Sequence, residues 1–131
     1  MSNRTQAKTR QHEVETAAAA KYTLLRADSV NTRTSEHDQR LYYCNSDVDI
    51  VFTTISRKYT EPRHLHTENT EVYFVIRGAL IMEIEEESLH LNAGDMLVVP
   101  PNACHSFRTT DEEVCFLAIK RFPLLKDKKP C

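Results

Sequence analysis

From residue 22 onward the chain is written as short extended runs separated by polar clusters, with no helical period between them. Residues 22–26, 41–44 and 50–55 carry β-branched or aromatic side chains, and the clusters 31–38 and 45–47 divide them. Further runs cover 71–77, 79–85, 88–91, 95–100, 105–109 and 113–122. Gly78 and Gly94, the only glycines, both fall between runs, where a turn calls for positive φ. Roughly eight or nine strands in about 100 residues can close only as an antiparallel sandwich or barrel. Leu80, Met82 and Ile84 alternate with Ile81, Glu83 and Glu85, which gives that strand one wetter face. Residues 114–119 are apolar on both faces and belong in the middle of a sheet.

With 131 residues the chain is expected to form one domain with a real core. The organisation expected is an N-terminal tail at 1–20, disordered or carrying a short helix within 11–21 where the alanine run 17–20 lies, a barrel over 21–123, and a charged tail at 124–131. A formal net charge of −2 offers no basic field for nucleic acid. No apolar run approaches the roughly 20 residues of a spanning helix, and the first residues lack the apolar core of a secretory signal. A cytoplasmic protein with no membrane partner is therefore expected. Cys44, Cys104, Cys115 and Cys131 are widely spaced, so they read as reduced thiols, with Cys115 a buried small hydrophobe and Cys131 mobile.

His64 and His66 lie one residue apart in an extended run, so their rings share a face. Glu71 opens the next run and His105 follows the apolar stretch 96–99. Three imidazoles and a carboxylate brought together from three strands make a metal site, since polar groups this numerous inside a small barrel otherwise lack partners. Imidazole with carboxylate suits Fe(II), Mn(II), Ni(II), Co(II) or Zn(II). His12, His37 and His90 have no such company, and His90, between Leu89 and Leu91, belongs to a strand surface.

These spacings resemble the cupin family. Its first motif, loosely G-x5-H-x-H-x(3,4)-E-x6-G, is matched from His64 through Glu71 to Gly78, with Lys58 in place of the opening glycine. The second, G-x5-P-x-G-x2-H-x3-N, is matched by Gly94, Pro100 and His105, with Asn102 where glycine would stand and Thr109 where asparagine would. Asn tolerates the left-handed region better than most residues, which makes Asn102 a mild departure. The resemblance implies an all-β double-stranded β-helix, a jelly-roll barrel, holding one divalent ion through His64, His66, Glu71 and His105. Fe(II) is the first expectation, with up to two positions left open for water, substrate or dioxygen. Homodimers are common among such domains, and the run 22–27 could cross to a partner.

Alternation places Tyr73 and Val75 on the face of Glu71, with Val72, Phe74 and Ile76 against another layer. Tyr73 is thus a candidate proton donor and Glu71 a candidate base as well as ligand, although a barrel-lining role suits Tyr73 equally. Phe107 should face inward with His105 as packing. Cys104 could be a thiol near the site, and Arg57, Lys58, Arg63 and Arg77 either meet an anionic substrate or form a solvated rim. A fold does not fix a reaction. The readings carried forward are a metal-dependent dioxygenase on a small organic substrate, a non-redox lyase or isomerase with the same ligands, and a small-molecule binding or sensing module.

Overall fold

The computed structural model describes residues 14–16, 22–26, 38–121 and 126–131. Its strands are β1 (Val14–Thr16), β2 (Thr23–Leu25), β3 (Asp38–Cys44), β4 (Val48–Ile55), β5 (His64–His66), β6 (Glu71–Arg77), β7 (Ala79–Ile84), β8 (Glu87–Asn92), β9 (Met96–Val99), β10 (His105–Thr109), β11 (Val114–Arg121) and β12 (Lys128–Pro130). No helix occurs among the described residues. Two antiparallel five-stranded sheets form a jelly-roll barrel, in the orders β12-β5-β10-β7-β8 and β3-β4-β11-β6-β9, while β1 and β2 pair with each other.

Strand β11 lies at the centre of the second sheet, between β4 and β6, as its apolar run predicts. The core is the set of inward faces of both sheets: Ile55, Tyr73, Val75, Leu80, Met82, Leu91, Val99, Phe107, Val114 and Phe116. Leu80 and Met82 of β7 are fully buried, as the alternation required. Burial of such side chains supplies the main driving force, roughly 1.5–3 kcal/mol each. Both glycines have positive φ, and so does Asn102 at 71°, the position where the motif asks for glycine.

Four expectations are corrected. Where helix or disordered tail stood open, Val14–Thr16 is a strand paired with Thr23–Leu25, a short isolated helix being marginal beside a ladder with a partner strand; residues 1–13 and 17–21, the alanine run among them, like His12 and His37, lie outside the described residues. The charged C-terminal stretch is not a free tail. Lys128–Pro130 pairs with β5, since an open sheet edge offers its backbone the hydrogen bonds that charge alone cannot. Cys131 is bonded to Cys104 rather than mobile, leaving Cys44 and a buried Cys115 as the free thiols. On β6, moreover, Ile76 is 44% exposed and covers no second layer.

Candidate metal centre

Period-two alternation does its work on β5, where His64 and His66 are buried and Leu65 between them is half-buried. His105 opens β10 and stands opposite His64 in the ladder, so three imidazoles come from adjacent strands of one sheet. Glu71 opens β6 of the other sheet, paired with Val99. The link between β5 and β6 therefore carries the chain across the interior, and the four groups meet between the sheets.

Ligand atoms of His64, His66 and Glu71 all lie within 4.8 Å of one another. His105 stands beside them, its Nε2 2.8 Å from Glu71 Oε1, while His66 Nε2 is 3.5 Å from the same oxygen. The rings of His64 and His105 are 4.5 Å apart. Each ring is tied from behind. His64 Nδ1 faces the Pro62 carbonyl at 3.0 Å, His105 Nδ1 the Ala103 carbonyl at 2.9 Å, and His66 Nδ1 the Asp127 carboxylate at 3.0 Å. Carbonyl and carboxylate oxygens only accept, so these nitrogens carry protons, and whenever a ring is neutral its Nε2 is left as a lone pair. That is the tautomer in which metal-bound histidines are held.

The same bookkeeping makes the His105–Glu71 contact informative. With Nδ1 protonated, a neutral His105 would set its Nε2 lone pair against a carboxylate oxygen. Two acceptors at that distance need a proton or a cation between them. Without a metal the proton serves: burial is the largest influence and would lower the His105 pKa, but the hydrogen bonds with Glu71 and the Ala103 carbonyl, joined by the Glu71 and Glu61 charges, together outweigh it and the net direction is up. Burial likewise pushes Glu71 up, and the hydrogen bond from His105 with the charges of His66 and His105 overrides it and holds the carboxyl below its ordinary value. Burial drives His64 down to about 4, so it offers a neutral ring at physiological pH. The donor set, its tautomers and its charge fit a divalent ion.

Tyr73 is buried, its hydroxyl donating to Glu71 Oε1 at 3.3 Å. Burial, with the Glu71 and Glu61 charges, raises its pKa well above the usual value, so it stays a neutral donor. Phe107 lies 6% exposed among Tyr59, Tyr73 and Phe116, an aromatic floor under the histidines. Three of the cationic residues flanking the first motif find partners away from the four groups. Lys58 pairs with Asp111 at 3.1 Å, Arg77 with Glu113 at 2.7 Å, and Arg63 donates to the Glu85 carbonyl at 3.0 Å. Cys104 has no free thiol. His90 is exposed, as expected.

Two residues escaped the sequence reading. Asp127 was hidden in what looks like a solvated charge run, and nothing local marks it. Glu61 precedes His64 by three residues in a segment with only one isolated bridge, Thr60 to Arg108, so no alternation could place it. Its Oε1 is buried without a hydrogen-bond partner. Burial, reinforced by the Glu71 charge, pushes its pKa up to about 7.

The family defined as "Cupin domain" matches residues 51–120, which spans all four candidate ligands. The chain belongs to the cupin family. This cupin is 27% identical over 94 residues to quercetin 2,3-dioxygenase of Bacillus subtilis, covering 69% of the present chain and 28% of that enzyme. It is 34% identical over 62 residues to an uncharacterized protein of Aquifex aeolicus, covering 47% of this chain and 51% of that one. The chain thus spans between about a quarter and a half of the length of the curated relatives it matches. Among solved structures, KdgF from Halomonas sp. superposes with a TM-score of 0.64 at 18% identity, over 72% of this cupin and 86% of that chain. That likeness shows the fold alone.

Proposed function

We propose that this cupin is a metal-dependent enzyme acting on a small organic molecule, in the first reading a dioxygenase. The observation that carries the proposal is the orientation of the three imidazoles, each tied through Nδ1, with Nε2 of His66 and of His105 facing the Glu71 carboxylate and a ring nitrogen of His64 within 4.8 Å of the His66 and Glu71 ligand atoms. The similarity to quercetin 2,3-dioxygenase supports the oxygenase over other reactions. A bound ion, Fe(II) first and Mn(II), Ni(II), Co(II) or Zn(II) in its place, would supply Lewis acidity and, where redox-active, a route for electrons to dioxygen. His64, His66, Glu71 and His105 would hold it. Tyr73 supplies a hydrogen bond to Glu71 that tempers its basicity, and the aromatic floor excludes water from that side. Glu61 holds a proton near neutrality beside these groups.

Anaerobic loading with Fe(II), followed by oxygen-uptake measurements with small organic candidates beginning with flavonols, tests the proposal. Uptake that requires both iron and substrate is expected. His64→Ala and His105→Ala should each lose most of the bound metal by elemental analysis, and full occupancy in both overturns the assignment. A second reading, a non-redox lyase or isomerase, is favoured by one observation: a buried carboxyl with a pKa of about 7 suits proton transfer on substrate. Turnover without dioxygen, sustained by Zn(II), would select it. Tight binding without turnover would select a binding module. A cytoplasmic location and homodimeric assembly complete the proposal, to be decided by fractionation and sedimentation.

A further inference from the structure

Strand β12 is three residues long with every side chain exposed, so no apolar burial holds it in place. What it delivers is Asp127, 7% exposed, at its entrance. Asp127 Oδ1 faces His66 Nδ1 at 3.0 Å, and Oδ2 accepts from the backbone amides of Glu68 and Asn69 at 2.8 and 2.9 Å. The Asn69 side-chain amide donates at 3.2 Å to each oxygen, and the Thr67 amide donates to the Asp127 carbonyl at 3.1 Å. One carboxylate therefore fixes a candidate ligand ring and the link that crosses between sheets to Glu71. The far end of β12 is fastened too. Cys131 is bonded to Cys104, the residue before His105, and its amide meets the Arg63 carbonyl at 3.4 Å.

We propose that residues 126–131 form a disulfide-fastened strap in which Asp127 is a positioning residue for His66, so that the Cys104–Cys131 bond governs how tightly the centre holds a divalent cation. The proposal rests on the metal reading given above. A short edge segment with no apolar side chain buried opens locally far more easily than a core. A covalent tie keeps such a segment near its seat; cutting the tie restores its freedom. The bond is open to reagents, because Cys131 is exposed and Cys104 only half-buried. Reduction by a dithiol breaks the S–S bond and delivers two electrons and two protons, giving the Cys104 and Cys131 thiols while the reductant closes to its own disulfide. In a reducing compartment such a pair would act as a sensor rather than a staple.

The test uses the full chain, oxidised and then reduced with dithiothreitol. On metal-free protein, amide hydrogen exchange at Glu68 and Asn69 should accelerate about tenfold or more on reduction, because their acceptor departs. Co(II) affinity, measured by competition with a chelator, should fall about 10–100-fold, the usual cost of losing a group that orients a ligand. Cys131→Ser should show both effects without reductant and no further response to it. Asp127→Ala should lose the His66 ring N–H resonance in nuclear magnetic resonance spectra and weaken Co(II) binding in either redox state. Asp127→Asn, which keeps an acceptor, should restore the resonance. Unchanged exchange or unchanged Co(II) affinity after reduction overturns the strap, as does a persistent His66 N–H signal in Asp127→Ala. Failure of the oxidised wild-type protein to take up Co(II) sinks the metal reading separately, and the exchange measurement on metal-free protein still decides whether the bond holds Asp127 in place.

Discussion

Glu61 is the residue whose environment most contradicts its chemistry. A glutamate in an unfolded chain titrates near 4.5, and here burial carries it to about 7. Between those values the folded protein binds a proton that the unfolded chain has lost. Stability therefore falls as pH rises through that window, and the penalty is fully present above it. Glu61→Gln in metal-free protein should abolish the fall, gaining on the order of 2 kcal/mol over wild type at pH 8 and little at pH 4. Urea unfolding at the two pH values measures it, and parallel pH profiles for the two proteins would remove Glu61 from this role. At this scale the sequence was legible where residues repeat a spacing. His64, His66, Glu71 and His105 lie together because two strand periods and two turn glycines bring them there. Asp127 and Glu61 were not legible, since each acts through a partner distant in sequence and sits in backbone with little pairing of its own to betray its direction.

Turns divide the elements, and the two glycines are not equivalent. Both have positive φ, 82° at Gly78 and 96° at Gly94. A Cβ at Gly78 would run into the Glu113 backbone carbonyl, whereas one at Gly94 meets open space. Gly94→Ala should therefore lose only the backbone preference, about 1 kcal/mol. Gly78→Ala should lose about 2–4 kcal/mol, because backbone must shift to make room. Thermal unfolding of the pair checks the ordering, and equal losses would show that the Glu113 carbonyl moves freely aside. Most strands were readable from alternation and β-branched runs. The exceptions, β1 and β12, are three residues each and depend on pairing that no local pattern encodes. Alanines near the first pointed to helix, and lysines in the second pointed to solvent.

For the molecule as a whole, one interior serves both stability and site. The aromatic floor of Tyr73, Phe107 and Phe116 joins the histidines to an aliphatic base that includes Met82 and Val114, both fully buried. Met82→Ala should destabilise by about 2–5 kcal/mol, the range for truncating a buried chain, with the candidate ligands left in place. Calorimetry alongside Co(II) titration separates the two, and a loss of affinity matching the loss of stability would show that floor and site are one unit. The jelly roll itself was readable as a class from strand number and spacing; which sheet each strand joins was not, because register is fixed by contacts across the interior.

The aromatic floor also equips the protein with an optical gauge. The chain has five tyrosines and no tryptophan, so its ultraviolet emission is wholly phenolic. One emitter, Tyr73, touches Glu71 through its hydroxyl and lies 6.2 Å from the His105 ring. A paramagnetic ion arriving between them should dim that fluorophore, and Tyr73→Phe should remove the larger part of the dimming, Tyr59 on the far side of Phe107 keeping the rest. Filling of the centre can then be followed by light alone, with no dye attached.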